Sequence, residues 1–282
     1  MPSRREFLQA ATIAALSTTA RAAQLKAIGL QLYTVRTVLP QKPAETLNAI
    51  RAIGYQEIEA TYADFDKIWP MVQASGLKAV SMHVDNTLMG KGADEMSRVV
   101  DRLKSWGFQY AVHPYVPQNE RGGPDVIKAL AGKLNMFGEK CQAAGIQAAY
   151  HNHAFESATS GDKTLFQVLI DNTDQKLVGF EIDVFWISVA GNDPVEFIKK
   201  LSGRVPLLHC KDKAQGTEQR FNESVPKTAF KEVGNGVLDW PAILRAAAAA
   251  GVQHYFVEQD QTPGDPLDSA RQSYNYLSKL TY

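Results

Sequence analysis

Histidine, aspartate and glutamate recur at the ends of short apolar runs in the second half of the chain. The runs AAYHNH, FEIDVFW, LLHCKDK and FVEQD carry, in that order, a histidine pair, Asp183, His209 and Glu258. Imidazole nitrogens and carboxylate oxygens suit Mn²⁺, Zn²⁺, Co²⁺ or Fe²⁺, with water completing the coordination sphere. If these runs are neighbouring strands, the four donors converge, and the sequence predicts a site for one divalent metal ion.

The histidine pair and a nearby lysine are candidates for handling protons and charge. His151 and His153 lie two residues apart, so on a strand they share a face. One can bind the metal while the other, titrating near neutrality, moves a proton. Lys211 follows His209 at the same spacing and can hold a substrate hydroxyl or stabilise an enolate oxygen. The alternatives are a mutually satisfied histidine pair and a solvated lysine at the rim.

Further polar and aromatic residues end the strand-like runs of the first half of the chain, and one follows Asp183. We expect Gln31, Tyr33 and Trp186 to contact substrate, and we expect Glu59 and His83 to lie at the same rim. Aromatic faces such as those of Tyr33 and Trp186 can stack on the C–H surface of a sugar, and the alternative for both is simple packing.

The elements that must position these residues alternate regularly between strand-like and helix-like segments. Strand-like runs cover residues 27–35, 56–60, 78–84, 110–113, 147–153, 178–184, 206–210 and 255–258, with helix-like segments between them. Several of those segments close with glycine, the residue expected at a helix C-cap. The pattern predicts an α/β protein that forms a single (β/α)8 barrel over residues 25–282, with the polar strand ends on one rim. A doubly wound sheet is the alternative, but no glycine-rich phosphate turn follows the first run.

Composition excludes several classes of function. Lysine plus arginine and aspartate plus glutamate both number 30, so the formal charge is zero. This balance disfavours a nucleic-acid binder, because phosphate contacts dominate such affinity. The two cysteines, Cys141 and Cys210, are too few for a disulfide scaffold or a cysteine-based zinc cage.

The first 22 residues have the pattern of a targeting segment. Arg4 and Arg5 precede Phe7 and Leu8, an alanine- and threonine-rich run follows, and Ala20-Arg21-Ala22 resembles a cleavage site. The order is typical of the twin-arginine export signal of bacteria, which is read by export machinery. We therefore expect a periplasmic protein. Stable membrane insertion is not expected, because the run is short and rich in serine and threonine.

In the order and spacing of its motifs, the chain resembles the xylose isomerase-like TIM-barrel superfamily, often labelled sugar phosphate isomerase/epimerase. Within it, the sequence is most similar to the inosose dehydratase branch. The motifs that carry the resemblance are GLQLYTVR, YHNHAFE, EIDVFW, HCKD, VGNGVLDWPAIL and VEQD. The resemblance implies metal ligands at His151, Asp183, His209 and Glu258. It places substrate contacts at Glu59, His83 and Lys211, and acid–base groups at His153 and Glu258.

The resemblance also implies the chemistry. The leading expectation is a divalent-metal-dependent isomerase or epimerase of a sugar or keto-sugar, acting by proton abstraction next to a carbonyl through an enediolate. A dehydratase or lyase on an inosose or 3-keto-glycoside is the runner-up, and a non-catalytic sugar-binding barrel is a weaker alternative. Ketose 3-epimerases of the superfamily carry glutamate on strand 5, whereas this chain has His151 there, which argues against a two-glutamate mechanism. The superfamily's nucleases are disfavoured by the neutral charge, and homo-oligomerisation is left open.

Overall fold

The structure is a computed structural model, and it describes residues 23–282. Eight parallel strands close into a barrel in which β1 pairs with both β2 and β8. The strands are β1 (Gly29–Gln31), β2 (Glu57–Thr61), β3 (Lys78–His83), β4 (Tyr110–His113), β5 (Gln147–His151), β6 (Val178–Asp183), β7 (Leu207–Cys210) and β8 (His254–Val257). The predicted single (β/α)8 barrel is confirmed. The predicted export signal, residues 1–22, lies outside the described residues and stays a prediction.

Helices surround the barrel and follow the expected capping chemistry. They are α1 (Pro43–Ile53), α2 (Phe65–Ser75), α3 (Asn86–Gly90), α4 (Ala93–Trp106), α5 (Pro124–Ala144), α6 (Leu165–Asn172), α7 (Val184–Val189), α8 (Pro194–Lys200), α9 (Trp240–Ala250) and α10 (Pro266–Leu277). Proline is the first or second residue of five of them, where its missing N–H leaves no helical bond unmade. No helix in residues 23–282 is long and apolar enough to cross a membrane.

The barrel interior is filled by side chains from alternate strand positions. Val80, Tyr110, Val112, Ala149, Leu207 and Phe256 form a buried cluster of their own, separate from the main core. Gly29 is required beside it, because a Cβ at that position would lie 2.3 Å from Phe256 Cδ1. The interior is therefore filled with packed side chains, and the polar residues of the candidate site lie at the carboxyl ends of the strands.

Two strands end two or more residues earlier than the sequence pattern predicts, and side-chain capping explains the first. The expected strand over residues 27–35 stops at Gln31, whose Oε1 accepts a hydrogen bond from the Tyr33 backbone N–H. This bond begins a 3-10 turn over Leu32–Val35 and points the chain away from the barrel. Strand β5 ends at His151, so His153 lies in the following turn instead of on the strand.

The long loop after β7 is fixed by one carboxylate. Asp212 accepts hydrogen bonds from the backbone of Gly234, Gly236 and Leu238 and from the Trp240 indole N–H. A Cβ at Gly236 would lie 2.2 Å from Asp212 Oδ1, so only glycine allows this approach. The role of Asp212 is therefore structural, and residues of this loop, among them Val225 and Phe230, line the cavity at the barrel mouth.

Candidate metal centre and active-site cavity

Four donors from consecutive strands meet at the carboxyl ends of β5 to β8. His151, Asp183, His209 and Glu258 each offer one ligand atom, and these atoms all lie within 4.8 Å of one another. Strand register causes the convergence, because Asp183 pairs directly with His209 across β6 and β7. All four residues are buried.

The donor atoms are spaced and oriented for a metal ion. His151 Nε2 lies 3.4 Å from Asp183 Oδ2, and His209 Nδ1 lies 3.0 Å from Glu258 Oε2. Donors that share one ion at about 2.0–2.2 Å are separated by such distances. His151 Nδ1 lies 3.1 Å from the Pro114 carbonyl, which can only accept, so Nδ1 carries the proton and Nε2 keeps its lone pair. His151 Nε2 is buried and has no hydrogen-bond partner among the described residues, so the set fits a cation.

The other nitrogen of His209 faces a buried glutamate. His209 Nε2 lies 2.6 Å from Glu59 Oε2. Burial alone would raise the pKa of Glu59, but His83 and His209 hold it well below its usual range, so Glu59 is a carboxylate. A carboxylate that accepts from one ring nitrogen orients the ring and leaves the other nitrogen to the metal. This geometry directs Nδ1 of His209 toward the other three donors.

A second buried cluster surrounds that contact and includes a residue that the sequence reasoning missed. Glu181 brings its Oε2 to 2.9 Å from His83 Nε2 and its Oε1 to 3.3 Å from His209 Nε2, while Glu59 Oε2 lies 3.0 Å from His83 Nε2. Glu59 and Glu181 outweigh the effect of burial and raise the pKa of His83 to about 9. Two-residue alternation could have identified Glu181, because it precedes Asp183 on the same strand face.

Two of the expected substrate contacts do not reach the cavity. Gln31 and Glu59 are fully buried and line none of the cavity wall. Gln31 Nε2 donates to Glu59 Oε2 at 2.7 Å, and Ser81 Oγ donates to Glu59 Oε1 at 2.5 Å. Gln31 and Ser81 therefore hold the Glu59 carboxylate, and Glu59 in turn contacts His209 Nε2 at 2.6 Å. Direct contact of this pair with substrate stays a prediction.

Lys211 is buried among three carboxylates. Its Nζ lies 2.9 Å from Asp183 Oδ2, 2.6 Å from Glu258 Oε2 and 3.0 Å from Asp260 Oδ1. Burial opposes the charge, but the three carboxylates raise the pKa of Lys211 well above its ordinary value. The side chain lines the cavity beside the Trp186 ring, at 5.6 Å from the ring centroid. An ammonium group therefore faces the same space as the metal centre.

His153 lies next to His151, with its ring centroid 4.9 Å away. Burial, His151 and Lys211 hold the pKa of His153 well below its usual value, so the imidazole is neutral at pH 7. Its backbone N–H donates to Glu156, whose Oε1 also accepts from the Tyr150 hydroxyl at 2.6 Å. Of the histidine pair, His151 therefore joins the donor set and His153 lies in the cavity wall, while Glu156 holds the turn that follows β5.

The cavity above these groups has a volume of about 620 Å³. Its wall includes the predicted Tyr33, His83, His153, Trp186, Lys211 and Glu258. Trp186 Nε1 is buried and has no hydrogen-bond partner within residues 23–282, so it is free to donate to a ligand. The outer wall is apolar and aromatic, with Tyr62, Tyr115, Val225 and Phe230. A charged floor under an aromatic wall suits a polyhydroxylated ring.

Comparison with known proteins places this architecture in a family. The sequence profile of the xylose isomerase-like TIM barrel family matches residues 20–280. An inosose dehydratase of Mesomycoplasma hyopneumoniae (strain 7448) is 28% identical over 240 residues, which cover 80% of this chain and 73% of that protein. In the matches to the inosose dehydratases of Clostridium perfringens, the chain spans about half the length of the relative, 54%.

Solved structures agree with the fold. A sugar phosphate isomerase/epimerase of Parabacteroides distasonis ATCC 8503 superimposes with a TM-score of 0.76 at 25% identity, covering 94% of this chain and 98% of that one. The IOLI protein with a bound zinc atom has a TM-score of 0.69 at 14% identity, covering 88% and 95%. Since the family profile spans nearly the whole described chain, the protein belongs to the xylose isomerase-like TIM barrel family.

Proposed function

We propose that the protein is a divalent-metal-dependent enzyme that removes a proton next to the carbonyl of a sugar or keto-sugar. The observation that carries this proposal is the convergence of His151, Asp183, His209 and Glu258 at the cavity floor, beside the ammonium of Lys211. A non-catalytic sugar-binding barrel has no use for four converging donors, so the geometry favours an enzyme. A divalent cation held by these donors would polarise the substrate carbonyl as a Lewis acid.

The remaining chemistry falls to residues of the cavity wall. His153 is neutral and faces the cavity, so its imidazole can accept the carbon-bound proton. The alternative base is Glu258. Lys211 places its positive charge where negative charge develops on the substrate oxygens. Trp186 and Tyr33 border the same space, where they can orient the ring.

Two outcomes share this first step. Return of the proton to carbon gives isomerisation or epimerisation, whereas departure of a β-hydroxyl as water gives dehydration. The structural similarity to a sugar phosphate isomerase/epimerase supports the first outcome, and the similarity to inosose dehydratases supports the second. We place isomerisation or epimerisation first, because return of the proton completes that reaction without a leaving group. Dehydration of an inosose or 3-keto-glycoside, which needs a β-hydroxyl to leave, comes second.

Proton exchange in D₂O tests the proposal. Protein loaded with Mn²⁺, Zn²⁺, Co²⁺ or Fe²⁺ is incubated with ketoses, inososes and 3-keto-glycosides and followed by NMR. Deuterium in recovered substrate or in an isomer supports proton return, and an unsaturated product supports dehydration. His153→Gln is the matched variant, because it should lose exchange while keeping the metal. The absence of both deuterium incorporation and product with every substrate would contradict the proposal.

We also propose that the protein is exported through the twin-arginine pathway to the periplasm, where a non-phosphorylated substrate is the better fit. The support is the pattern of residues 1–22 in the sequence. Fractionation of cells that express the chain with Arg4 and Arg5 either intact or changed to lysine tests this. The intact chain should reach the periplasm and the double lysine variant should stay inside.

A further inference from the structure

Lys211 contacts the same oxygen atoms that complete the proposed metal centre. Its Nζ lies 2.9 Å from Asp183 Oδ2 and 2.6 Å from Glu258 Oε2. Asp183 Oδ2 also lies 3.4 Å from His151 Nε2, and Glu258 Oε2 also lies 3.0 Å from His209 Nδ1. Two of the four donors are therefore shared between a resident cation and a divalent metal.

The side chain has a third partner outside the donor set. Asp260 Oδ1 lies 3.0 Å from Lys211 Nζ, and both residues line the cavity. The Asp260 side chain is 20% exposed, whereas those of Asp183 and Glu258 are 0% and 7% exposed. Asp260 is thus the most exposed of the three carboxylates that contact Lys211.

We infer that Lys211 competes with the metal ion for Asp183 and Glu258, and that Asp260 is the positioning residue that holds the ammonium toward the cavity when the ion takes those oxygens. Two cations on the same buried oxygens repel each other strongly, because little water screens them. The ammonium therefore weakens metal binding. In return, metal binding presents Lys211 to the substrate. This inference deepens the proposed function and depends on its metal site.

Metal affinity, measured without any substrate, tests the inference. The dissociation constant for Mn²⁺ is determined by chelator competition for wild type, Lys211→Met and Lys213→Met. Lys211→Met, which keeps the length and removes the charge, should bind Mn²⁺ about tenfold tighter or more. Lys213 lies two residues along the same loop with its Nζ on the Ser188 carbonyl, so Lys213→Met should stay within about twofold of wild type. Lys211→Met that folds and binds no tighter than wild type overturns the inference.

Asp260→Asn supplies a second test that leaves Lys211 in place. Without Asp260, the ammonium should settle more firmly on Asp183 and Glu258, so affinity for Mn²⁺ should fall. The double variant K211M/D260N separates this route from a general loss of negative charge, because the effect of D260N should largely vanish once Lys211 is gone. If D260N lowers the affinity for Mn²⁺ equally in wild type and in K211M, Asp260 has no role in positioning Lys211. If D260N alone leaves the affinity for Mn²⁺ unchanged, the inference is overturned. If wild type binds no Mn²⁺, the proposed function is overturned as well. If wild type and Lys211→Met bind Mn²⁺ with equal affinity, only the competition is overturned.

Discussion

The buried contact between Glu59 and His209 gives a quantitative prediction about metal affinity. Glu59→Gln keeps the shape of the side chain but removes the negative charge that lies 2.6 Å from His209 Nε2. His209 then loses part of the electron donation that makes its Nδ1 a strong ligand. The ring also loses the charged partner that fixes its orientation, so the ion should be held less tightly.

The size of the effect follows from the place of Glu59 in the site. Carboxylates that support a metal-bound histidine contribute about 10-fold to 100-fold in affinity. This range corresponds to about 1.4 to 2.8 kcal/mol of binding free energy. Since glutamine can still accept a hydrogen bond from His209, we expect the loss to lie nearer the lower figure.

The chain offers a matched control on the same strand. Glu57 lies two residues before Glu59 and its Oε2 lies 2.8 Å from His254 Nδ1, at the opposite end of the barrel. Glu57→Gln therefore breaks a similar glutamate–histidine pair without touching the metal donors. Chelator competition with Zn²⁺ or Mn²⁺ should show weaker binding for Glu59→Gln and wild-type binding for Glu57→Gln. Equal affinities for the two variants would refute the assignment of Glu59 as the support of His209.

Three further predictions concern single residues of the site and the barrel. His153→Gln should lower kcat by about 10²-fold to 10⁴-fold, as loss of a general base does, while the dissociation constant for Mn²⁺ stays within about threefold; steady-state kinetics and chelator competition check this. Trp186→Phe should raise KM by about threefold to tenfold through loss of one hydrogen-bond donor, with a smaller change in kcat. Burial lowers the pKa of His113 to about 4 from its ordinary value of 6.5. Between these two pH values the histidine is protonated in the unfolded chain but neutral in the folded chain. Wild type should therefore lose about 3 kcal/mol relative to His113→Phe as the pH falls from 7 to 4, measured by urea unfolding.

Fold and donor set were both accessible from the sequence because they depend on local rules. The alternation of apolar runs with amphipathic segments predicts the eight strands and their helices. Once the strands are parallel neighbours, the polar residues at their carboxyl ends must share a rim, and Asp183 and His209 do pair across β6 and β7. The metal donors were thus predictable as a group, although which strand-5 residue joins them was not.

The depth of each residue in the barrel was not accessible, because it depends on strand register. The register between β2 and β3 shifts after Ile58, so Glu59 pairs with Ser81, and both side chains are fully buried. Gln31 is buried with them, because it pairs with Glu59 across β1 and β2. Glu181 lies two positions before Asp183 on the same face, so alternation indicates which way its side chain points but does not indicate that it contacts His83 and His209.

The central claim is that four side chains hold one divalent ion at the floor of the cavity, and anomalous diffraction from crystals grown with Mn²⁺ tests it most directly. We expect one strong anomalous peak about 2.0–2.3 Å from each of four atoms: His151 Nε2, Asp183 Oδ2, His209 Nδ1 and Glu258 Oε2. A peak elsewhere in the barrel, or no peak in protein that has been saturated with the ion, would contradict it.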